Sequence, residues 1–248
     1  MTDRGTNESP KRNPLMSNIK LITMYGSPWS EKVRWAFAFK GVPYEKQNYQ
    51  LGVDEAEVKR LSGQTQVPVL LADDKVIPDS TAILNWLDDY RPQPSLMPPS
   101  DKERAQVTLW EEVIDGALGP HARTLIVGRQ LASAAPEVQL SGKFFAQKYH
   151  YSAFAEEHAR FKVERILRSI NDTLSGHQYL VGEAFSRADL TVASMLMLVK
   201  PAPEELFFLP EPWRSTLTDS VSELPAFAAL FAWRDQMYRM HRGEPVRP

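Results

Sequence analysis

Cysteine is absent from the 248 residues of the chain. Its absence excludes disulfide bonds, thiolate metal sites, a cysteine nucleophile and any catalytic step that passes through a mixed disulfide. A reducing cytoplasm fits such a chain more readily than an oxidising compartment, so we expect a cytoplasmic protein. A strong charge of one sign is lacking too, since 29 Lys and Arg residues against 31 Asp and Glu residues leave a net charge of −2. The composition therefore provides no field that would attract nucleic acid or an anionic membrane.

Long apolar runs are also lacking. The longest, Leu190 to Val199, is interrupted by Thr191 and Ser194. It is far shorter than the ~20 residues that a bilayer span needs, and we interpret it as a buried helix. Residues 1–18 contain no apolar stretch of the kind that a secretory signal requires. They are rich in Asn, Ser, Pro and charged side chains, so we expect a disordered tail.

Residues 19–90 alternate between strand-like and helix-like patterns. Short β-rich segments predict strands, whereas apolar residues spaced three or four apart, with capping residues at the ends, predict helices. The predicted elements are a strand over 20–25, a helix over 27–40, strands over 44–49, 67–72 and 75–77, and a helix over 79–90. The order βαβ followed by ββα predicts a small α/β domain over residues 19–90.

The composition changes at a proline-rich segment. Four prolines fall within residues 91–100 and predict a linker there, because neither a helix interior nor a central strand accepts them. Beyond the linker the periodicity is mainly helical, so we predict an all-helical domain over residues 101–248. Within it, residues 128–151 contain a proline and several Ser and Gly residues, and we expect them to be less regular.

Ser27 stands where the first predicted strand turns into the first predicted helix, and Pro28 follows it. Serine is a good N-cap and proline suits the first helical position, so a well-made helix start is the simpler explanation. The functional alternative is that Ser27 faces a ligand at the positive end of the helix. Backbone N–H groups and the helix dipole stabilise an anion at that end.

Pro68 stands near the start of the third predicted strand, where a proline removes a backbone donor from the sheet. An ordinary trans proline at a strand start is one explanation. The alternative is a cis bond between Val67 and Pro68, which would expose the Val67 backbone to a peptide-like ligand.

Asp79 and Ser80 open the next predicted helix, and capping alone can explain them. The functional alternative uses both side chains. Asp79 would pair with an ammonium group, while Ser80 and the helix N-terminus would hold a carboxylate. Together they would fit the head group of an α-amino acid.

Three segments resemble cytosolic glutathione transferases. They read SPWSEKVRWAFAFKGVPYE, QVPVLLADDKVIPDSTAILNWLDDY and YLVGEAFSRADLTVAS. Their order and spacing make the resemblance specific, and it covers most of residues 20–240. The resemblance implies a thioredoxin-like α/β N-terminal domain followed by an all-α helical bundle, with glutathione as the co-substrate and a homodimeric assembly.

The resemblance also implies roles for individual residues. Ser27 matches the active-site serine of the serine-type classes, which donates a hydrogen bond to the sulfur of glutathione. The Val67 backbone, before a cis Pro68, would pair with the cysteinyl part of glutathione. Asp79 and Ser80 would hold its γ-glutamyl head group.

Two class patterns match in part. Gln66 matches the glutamine that the zeta class places before Val-Pro, but Trp29 stands where zeta has a cysteine, which argues against maleylacetoacetate isomerisation. The Ser-Pro-Trp stretch resembles the tau class, but the lysine that tau has after the second strand is missing, because residues 51–55 are acidic here. The glycine carboxylate of glutathione would then need another anchor, and Lys59 or Arg60 is the candidate.

The electrophile is expected between the two domains, over Trp29 and the first helix of the bundle. Trp110, Ile114 and Ala117 are candidates for that wall, although helix packing explains them equally well. The first hypothesis is an enzyme that conjugates glutathione to a small apolar electrophile by Ser27-assisted thiolate attack. The alternative is a non-catalytic binding or scaffold protein with the same fold. Neither hypothesis includes a metal ion.

Overall fold

The computed structural model describes residues 18–247. The tail predicted over residues 1–18 lies outside the described residues except for Asn18. That residue is exposed, and its backbone N–H donates to the Asp73 side chain beside the sheet.

The N-terminal half contains a four-stranded sheet and three helices. In chain order these are β1 (Ile19–Thr23), α1 (Pro28–Lys40), β2 (Glu45–Asn48), α2 (Glu55–Ser62), β3 (Val69–Ala72), β4 (Lys75–Pro78) and α3 (Ser80–Tyr90). The sequence pattern predicts each of them but α2. That helix buries only Val58, so it carries no apolar stripe from which a helical period could be read.

The sheet has the strand order β2-β1-β3-β4. β1 runs parallel to β2, whereas β3 is antiparallel to both β1 and β4. Leu21 in the centre of β1 lies opposite Lys46 of β2 and Leu70 of β3. A parallel pair needs a crossover, and α1 provides it.

The two faces of the sheet belong to two cores, because successive strand residues point to opposite sides. Leu21 and Leu70 belong to the main core, which also contains residues of α1, α3 and the helical half. Ile22 and Val69 belong to a smaller cluster with Val58 of α2. One face of the sheet is therefore covered by α1 and α3, which share the main core with the helical half, and the other is covered by the short helix α2.

The second half of the chain is helical. Its elements are α4 (Asp101–Val113), a π-helical segment (Ile114–Leu118), α5 (Gly119–Leu131), α6 (Pro136–Lys148), α7 (Ala155–Thr173), α8 (Arg187–Met195), a 3₁₀ turn (Leu196–Leu198), α9 (Trp213–Thr216), two 3₁₀ turns (Ser220–Glu223 and Pro225–Phe227), α10 (Ala228–Met237) and a π-helical segment (Tyr238–Arg242). Within residues 91–247, strand-like pairing is confined to an isolated bridge between Phe207 and Val246. The predicted fold class, an α/β layer followed by a helical bundle, is confirmed.

The expectation of an irregular segment over residues 128–151 is wrong, because α5 extends to Leu131 and α6 occupies Pro136–Lys148. Pro136 stands at the start of α6, where its missing N–H costs no hydrogen bond. Gly142 permits close packing of α6 on α5, since a Cβ there would lie 2.9 Å from the backbone nitrogen of Leu131. The small residues that indicate a loop in the sequence are thus packing residues in the structure.

The apolar run interpreted as a buried helix is indeed buried. Every residue of α8 is buried, and the helix packs against α1, α4 and α10. The Asp189 carboxylate accepts hydrogen bonds from the backbone N–H groups of Leu180 and Ser186, and burial raises its pKa to about 6. Among residues 18–247, no helix combines the length and hydropathy that a bilayer span requires.

Candidate functional site

A cavity of about 660 Å³ lies between the sheet half and the helical half. Its walls come from the turn between β1 and α1, the residues before β3, the start of α3, and helices α5 and α6. Seven of the site residues that the sequence predicts in the N-terminal half line it: Ser27, Trp29, Gln66, Val67, Pro68, Asp79 and Ser80. The fold thus brings three separate sequence motifs to one place.

The turn between β1 and α1 presents Ser27 to the cavity. Gly26 has φ +80° in this turn, a conformation that a side chain would strain. Ser27 caps α1, since its Oγ accepts a hydrogen bond from the Ser30 backbone N–H at 3.4 Å. No described residue accepts a hydrogen bond from the Ser27 hydroxyl, so its proton is free for a ligand at the positive end of α1.

Two other hydroxyl groups near Ser27 are engaged elsewhere. Ser30 is fully buried, and its Oγ accepts a hydrogen bond from the Met24 backbone N–H at 3.1 Å. The Tyr25 hydroxyl donates to the backbone carbonyl of Phe208, and burial raises the pKa of Tyr25 to about 12. Of these three hydroxyl groups, that of Ser27 alone both belongs to a residue lining the cavity and donates to no described residue, because Ser30 does not line the cavity.

Val67 offers free backbone to the cavity. β3 begins only at Val69, and neither the N–H nor the C=O of Val67 has a partner among the described residues. The Val67–Pro68 bond is cis, as the resemblance implies. An extended peptide can pair with a free N–H and C=O in the way that an added strand does. Gln66 precedes this backbone with an exposed side chain.

The start of α3 combines a carboxylate with free donors. Asp79 is its N-cap at φ 88°, an unusual conformation for a non-glycine residue that costs roughly 1–3 kcal/mol. Its carboxylate accepts from the Ala82 backbone N–H at 3.0 Å and has no cationic partner among the described residues. The backbone N–H groups of Ser80 and Thr81 have no hydrogen-bond partner within residues 18–247. These groups suit the ammonium and carboxylate of an α-amino acid.

A lysine reaches the cavity from the helical half. Lys59 and Arg60, the predicted anchors, are exposed on α2 and do not line the cavity. Lys148 at the end of α6 does line it, with its Nζ 2.7 Å from Glu55 Oε1 and 3.0 Å from the Thr65 carbonyl. The hydrogen bond from Lys148 lowers the pKa of the Glu55 carboxyl. The cation beside Thr65 is therefore Lys148 of the helical half, and not Lys59 or Arg60 of the sheet half.

The wall predicted for the electrophile differs in the structure. Trp110, Ile114 and Ala117 do not line the cavity, and Ile114 is fully buried in the main core. The helical half contributes instead α5, which follows the π-helical segment after α4, and α6. The α5 residues that line the cavity are Pro120, Arg123, Ile126, Val127 and Gln130.

Arg123 is the most prominent residue that sequence reasoning missed. Its guanidinium carbon lies 3.6 Å from the centroid of the Tyr149 ring and 5.5 Å from that of Trp29. Burial lowers the pKa of Arg123 from its ordinary value. The spacing of Arg123 and Gln130 places both on one helix face, but the sequence does not show that this face meets the cavity.

Comparison with known proteins agrees with this architecture. Residues 21–95 match the model of the glutathione S-transferase N-terminal domain, and residues 140–239 match that of the C-terminal domain. A maleylacetoacetate isomerase from Rattus norvegicus is 30% identical over 212 residues, which cover 84% of this chain and 89% of the relative. A glutathione transferase from Zea mays is 26% identical over 176 residues, covering 70% and 69%.

A solved glutathione S-transferase from Methylobacillus flagellatus, with GSH bound, superposes with a TM-score of 0.65. It is 25% identical, and the match covers 92% of this chain and all of that one. The chain belongs to the glutathione S-transferase family, as its three sequence segments suggest.

Proposed function

We propose that the protein conjugates glutathione to a small electrophile with an apolar body, and that Ser27 assists the reaction. One observation carries the proposal: the free hydroxyl proton of Ser27 and the free backbone of Val67 line the same cavity. A thiol peptide paired with Val67 would be held at a fixed place beside the start of α1.

The proposed placement of glutathione uses groups that have no partner among the described residues, together with Lys148, which already pairs with Glu55. The cysteinyl N–H and C=O pair with Val67, while the γ-glutamyl ammonium binds Asp79 and its carboxylate binds the start of α3 at Ser80. Gln66 contacts the peptide beside Val67. Lys148 takes the place of the missing lysine after β2 and faces the glycine carboxylate.

Ser27 favours ionisation of the glutathione thiol. A hydrogen bond to a charged group is worth ~1.5–3 kcal/mol, which corresponds to roughly one to two pKa units. The N-terminus of α1 adds to the effect, so a thiol with an ordinary pKa near ~8.5 becomes substantially ionised at neutral pH. The thiol proton leaves to solvent. The thiolate then forms a C–S bond with the electrophile, whose leaving group departs with the electron pair.

The electrophile is held by Trp29 and the α5 wall. Ile126 and Val127 are buried and apolar, and with Trp29 they provide a surface for an apolar body. We propose conjugation rather than isomerisation of maleylacetoacetate, because Trp29 stands where the zeta pattern has a cysteine. A binding or scaffold protein with the same cavity is the competing hypothesis.

The proposal is tested with Ser27→Ala and Ser27→Gly. Both substitutions remove the hydroxyl. Alanine also removes the helix cap and should lower the stability of the fold by ~1 kcal/mol, whereas glycine at an N-cap lowers it by only a few tenths of a kcal/mol. If Ser27 activates the thiol, both variants lose conjugation of a chloronitrobenzene by at least ~10-fold, or about 1.4 kcal/mol. Normal turnover by the glycine variant would show that Ser27 is only a cap.

Binding is tested separately by calorimetric titration with glutathione. Asp79→Ala removes the partner of the ammonium group and should weaken binding by about ten- to a hundredfold. Unchanged affinity in the variant would refute the assigned orientation. Binding by the native protein without conjugation of any electrophile would favour the scaffold hypothesis.

The family resemblance also implies an assembly and a location. We propose a homodimer that resides in the cytoplasm. Light scattering of the purified protein measures the mass directly, and a mass of one chain, 28.2 kDa, would contradict the dimer.

A further inference from the structure

The charges that line the cavity are not all neutralised within the protein. Asp115 is paired with Lys32, and Lys148 is paired with Glu55. Among the described residues, no carboxylate pairs with Arg123, and no carbonyl accepts a hydrogen bond from it. The cavity therefore presents an arginine that has no counter-charge among the described residues.

The position of Arg123 assigns it to the electrophile rather than to glutathione. It projects from α5, between Trp29 on one side and Tyr149 on the other, at 5.5 and 3.6 Å from their ring centroids. Most groups proposed for glutathione lie on the sheet half, before β3 and at the start of α3, and Lys148 at the end of α6 is the exception. Arg123 is carried by the helical half, on the wall that also bears Ile126.

The aromatic rings hold the guanidinium plane without using its donors. Stacking on a ring leaves the N–H groups at the edge of the plane free, and that edge matches the two oxygens of a carboxylate. Burial lowers the pKa of Arg123, but an arginine remains protonated at neutral pH. The guanidinium is thus a preorganised and partly desolvated binder for a planar oxyanion.

A second unpaired group lies on the same face of α5. Gln130 is seven residues after Arg123, which is two helical turns, and both line the cavity. Oε1 of Gln130 is buried and has no hydrogen-bond partner among the described residues. Buried polar atoms of this kind are uncommon in folded proteins, but this oxygen is closed off from the cavity as well, so the polar group that α5 offers to a ligand is Arg123.

We propose that Arg123 is a specificity residue that selects electrophiles carrying a carboxylate on an apolar body. The carboxylate binds the edge of the Arg123 guanidinium, and the apolar body packs on Trp29 and the α5 wall. This inference rests on the proposed conjugation and narrows its substrate class. An entirely apolar electrophile would leave Arg123 desolvated and without a partner.

The test compares 4-chloro-3,5-dinitrobenzoate with its methyl ester. In both reactions the glutathione thiolate forms a C–S bond at the ring carbon, the C–Cl bond breaks, chloride leaves with the electron pair, and the thiol proton goes to solvent. Each kcat/KM is divided by the uncatalysed rate, because the ester is intrinsically more reactive. We expect this ratio to be higher for the acid than for the ester in the wild-type protein. Arg123→Met should lower the ratio for the acid by about ten- to a hundredfold. The ester value should change by less than about twofold.

Two further variants identify the cause. Arg123→Lys keeps the charge but loses the planar fork, so it should fall between wild type and Arg123→Met. Arg165→Met is the matched control, since Arg165 is an exposed arginine that lies 5.7 Å over the Phe161 ring, outside the cavity wall. It should leave both values unchanged. Equal losses for acid and ester in Arg123→Met, or no loss for either, would overturn the proposal.

A binding measurement keeps the inference separate from the proposed reaction. Unreactive 3,5-dinitrobenzoate and its methyl ester are titrated calorimetrically into the glutathione-saturated protein. Preference for the acid, lost in Arg123→Met, supports the inference even if no conjugation is found. Weaker glutathione binding by Arg123→Met, with the preference for the acid over the ester unchanged from wild type, would assign Arg123 to glutathione instead and refute the inference.

Discussion

Replacing Lys32 by methionine tests how the two halves are held together beneath the cavity. The Lys32 side chain is 1% exposed. Its Nζ donates to Asp115 Oδ2 at 2.7 Å and to Thr81 Oγ1 at 3.1 Å, and it forms an ion pair with Glu111 at 3.0 Å. The lysine thus connects α1 of the sheet half with α4 and the π-helical segment of the helical half.

The magnitude follows from what the substitution leaves behind. Glu111 keeps a second cation, Arg187, at 2.8 Å, so Asp115 is the one carboxylate that loses its cation. Breaking a buried ion pair by removing one partner costs ~3–5 kcal/mol. Because one carboxylate rather than two is left unpaired, we expect about 3 kcal/mol for Lys32→Met. That is a large part of the roughly 5–15 kcal/mol by which a domain is stable.

The loss should depend on pH. Burial raises the pKa of Asp115, and Lys32 opposes this rise. Without Lys32 the folded-state pKa rises further above the unfolded value, so the folded state binds a proton more readily. Stability of the variant relative to wild type therefore recovers as pH falls through that folded-state pKa, and the deficit is greatest at neutral pH.

Urea unfolding at neutral and mildly acidic pH measures both effects. Adding Asp115→Asn to Lys32→Met should restore part of the loss and remove its pH dependence. Lys20→Met is the control, because the exposed pair of Lys20 with Glu45 at 3.2 Å is worth at most ~1 kcal/mol. A neutral-pH deficit for Lys32→Met no larger than that of Lys20→Met, or one that grows with acid, would refute the reasoning.

Two substitutions at other positions give further predictions. In Gly119→Ala the new Cβ would lie 2.5 Å from Cζ2 of Trp29, so we expect a loss of ~1–3 kcal/mol and altered tryptophan fluorescence. The added Cβ in Gly116→Ala meets open space, so this control should change neither the stability nor the tryptophan fluorescence. Equal melting temperatures for the two variants would contradict tight packing at Trp29. Lys148→Met should return the pKa of Glu55 toward its ordinary value of 4.5, as followed by NMR titration. The pair stabilises the fold above that pH, by less than ~1 kcal/mol because Glu55 is about one-third exposed, and the contribution should disappear in acid. An unchanged Glu55 titration would show that Lys148 does not hold this carboxylate.

The elements of the sheet half other than α2 are predictable because their signals are local. Ser27 and Pro28 mark the start of α1, and Gly41 ends it at φ 62°. The turn residues 73–74 separate β3 from β4, and Asp79 caps α3. Each signal acts through backbone geometry within a few residues, so one sequence is enough to place the helix and strand ends.

The helical side of the site could not be predicted in the same way. Gly142 and Pro136 indicate a loop in isolation and become packing and capping residues only because α5 lies beside α6. Which face of α5 carries Arg123 into the cavity is set by the packing of α5 against α6 and α7, which no sequence pattern marks. Lys148 meets Thr65 only through the packing of the two halves. These contacts are tertiary, and the periodicity of a single helix does not contain them.

The most direct test of the central claim is a pH titration of the thiolate absorbance of glutathione bound to the wild-type protein and to Ser27→Gly. The account predicts a wild-type midpoint roughly one to two pH units below that of free glutathione. In Ser27→Gly, which keeps the helix start, most of that difference should disappear while glutathione still binds. The same lowered midpoint in both proteins would contradict the claim that the Ser27 hydroxyl activates the thiol.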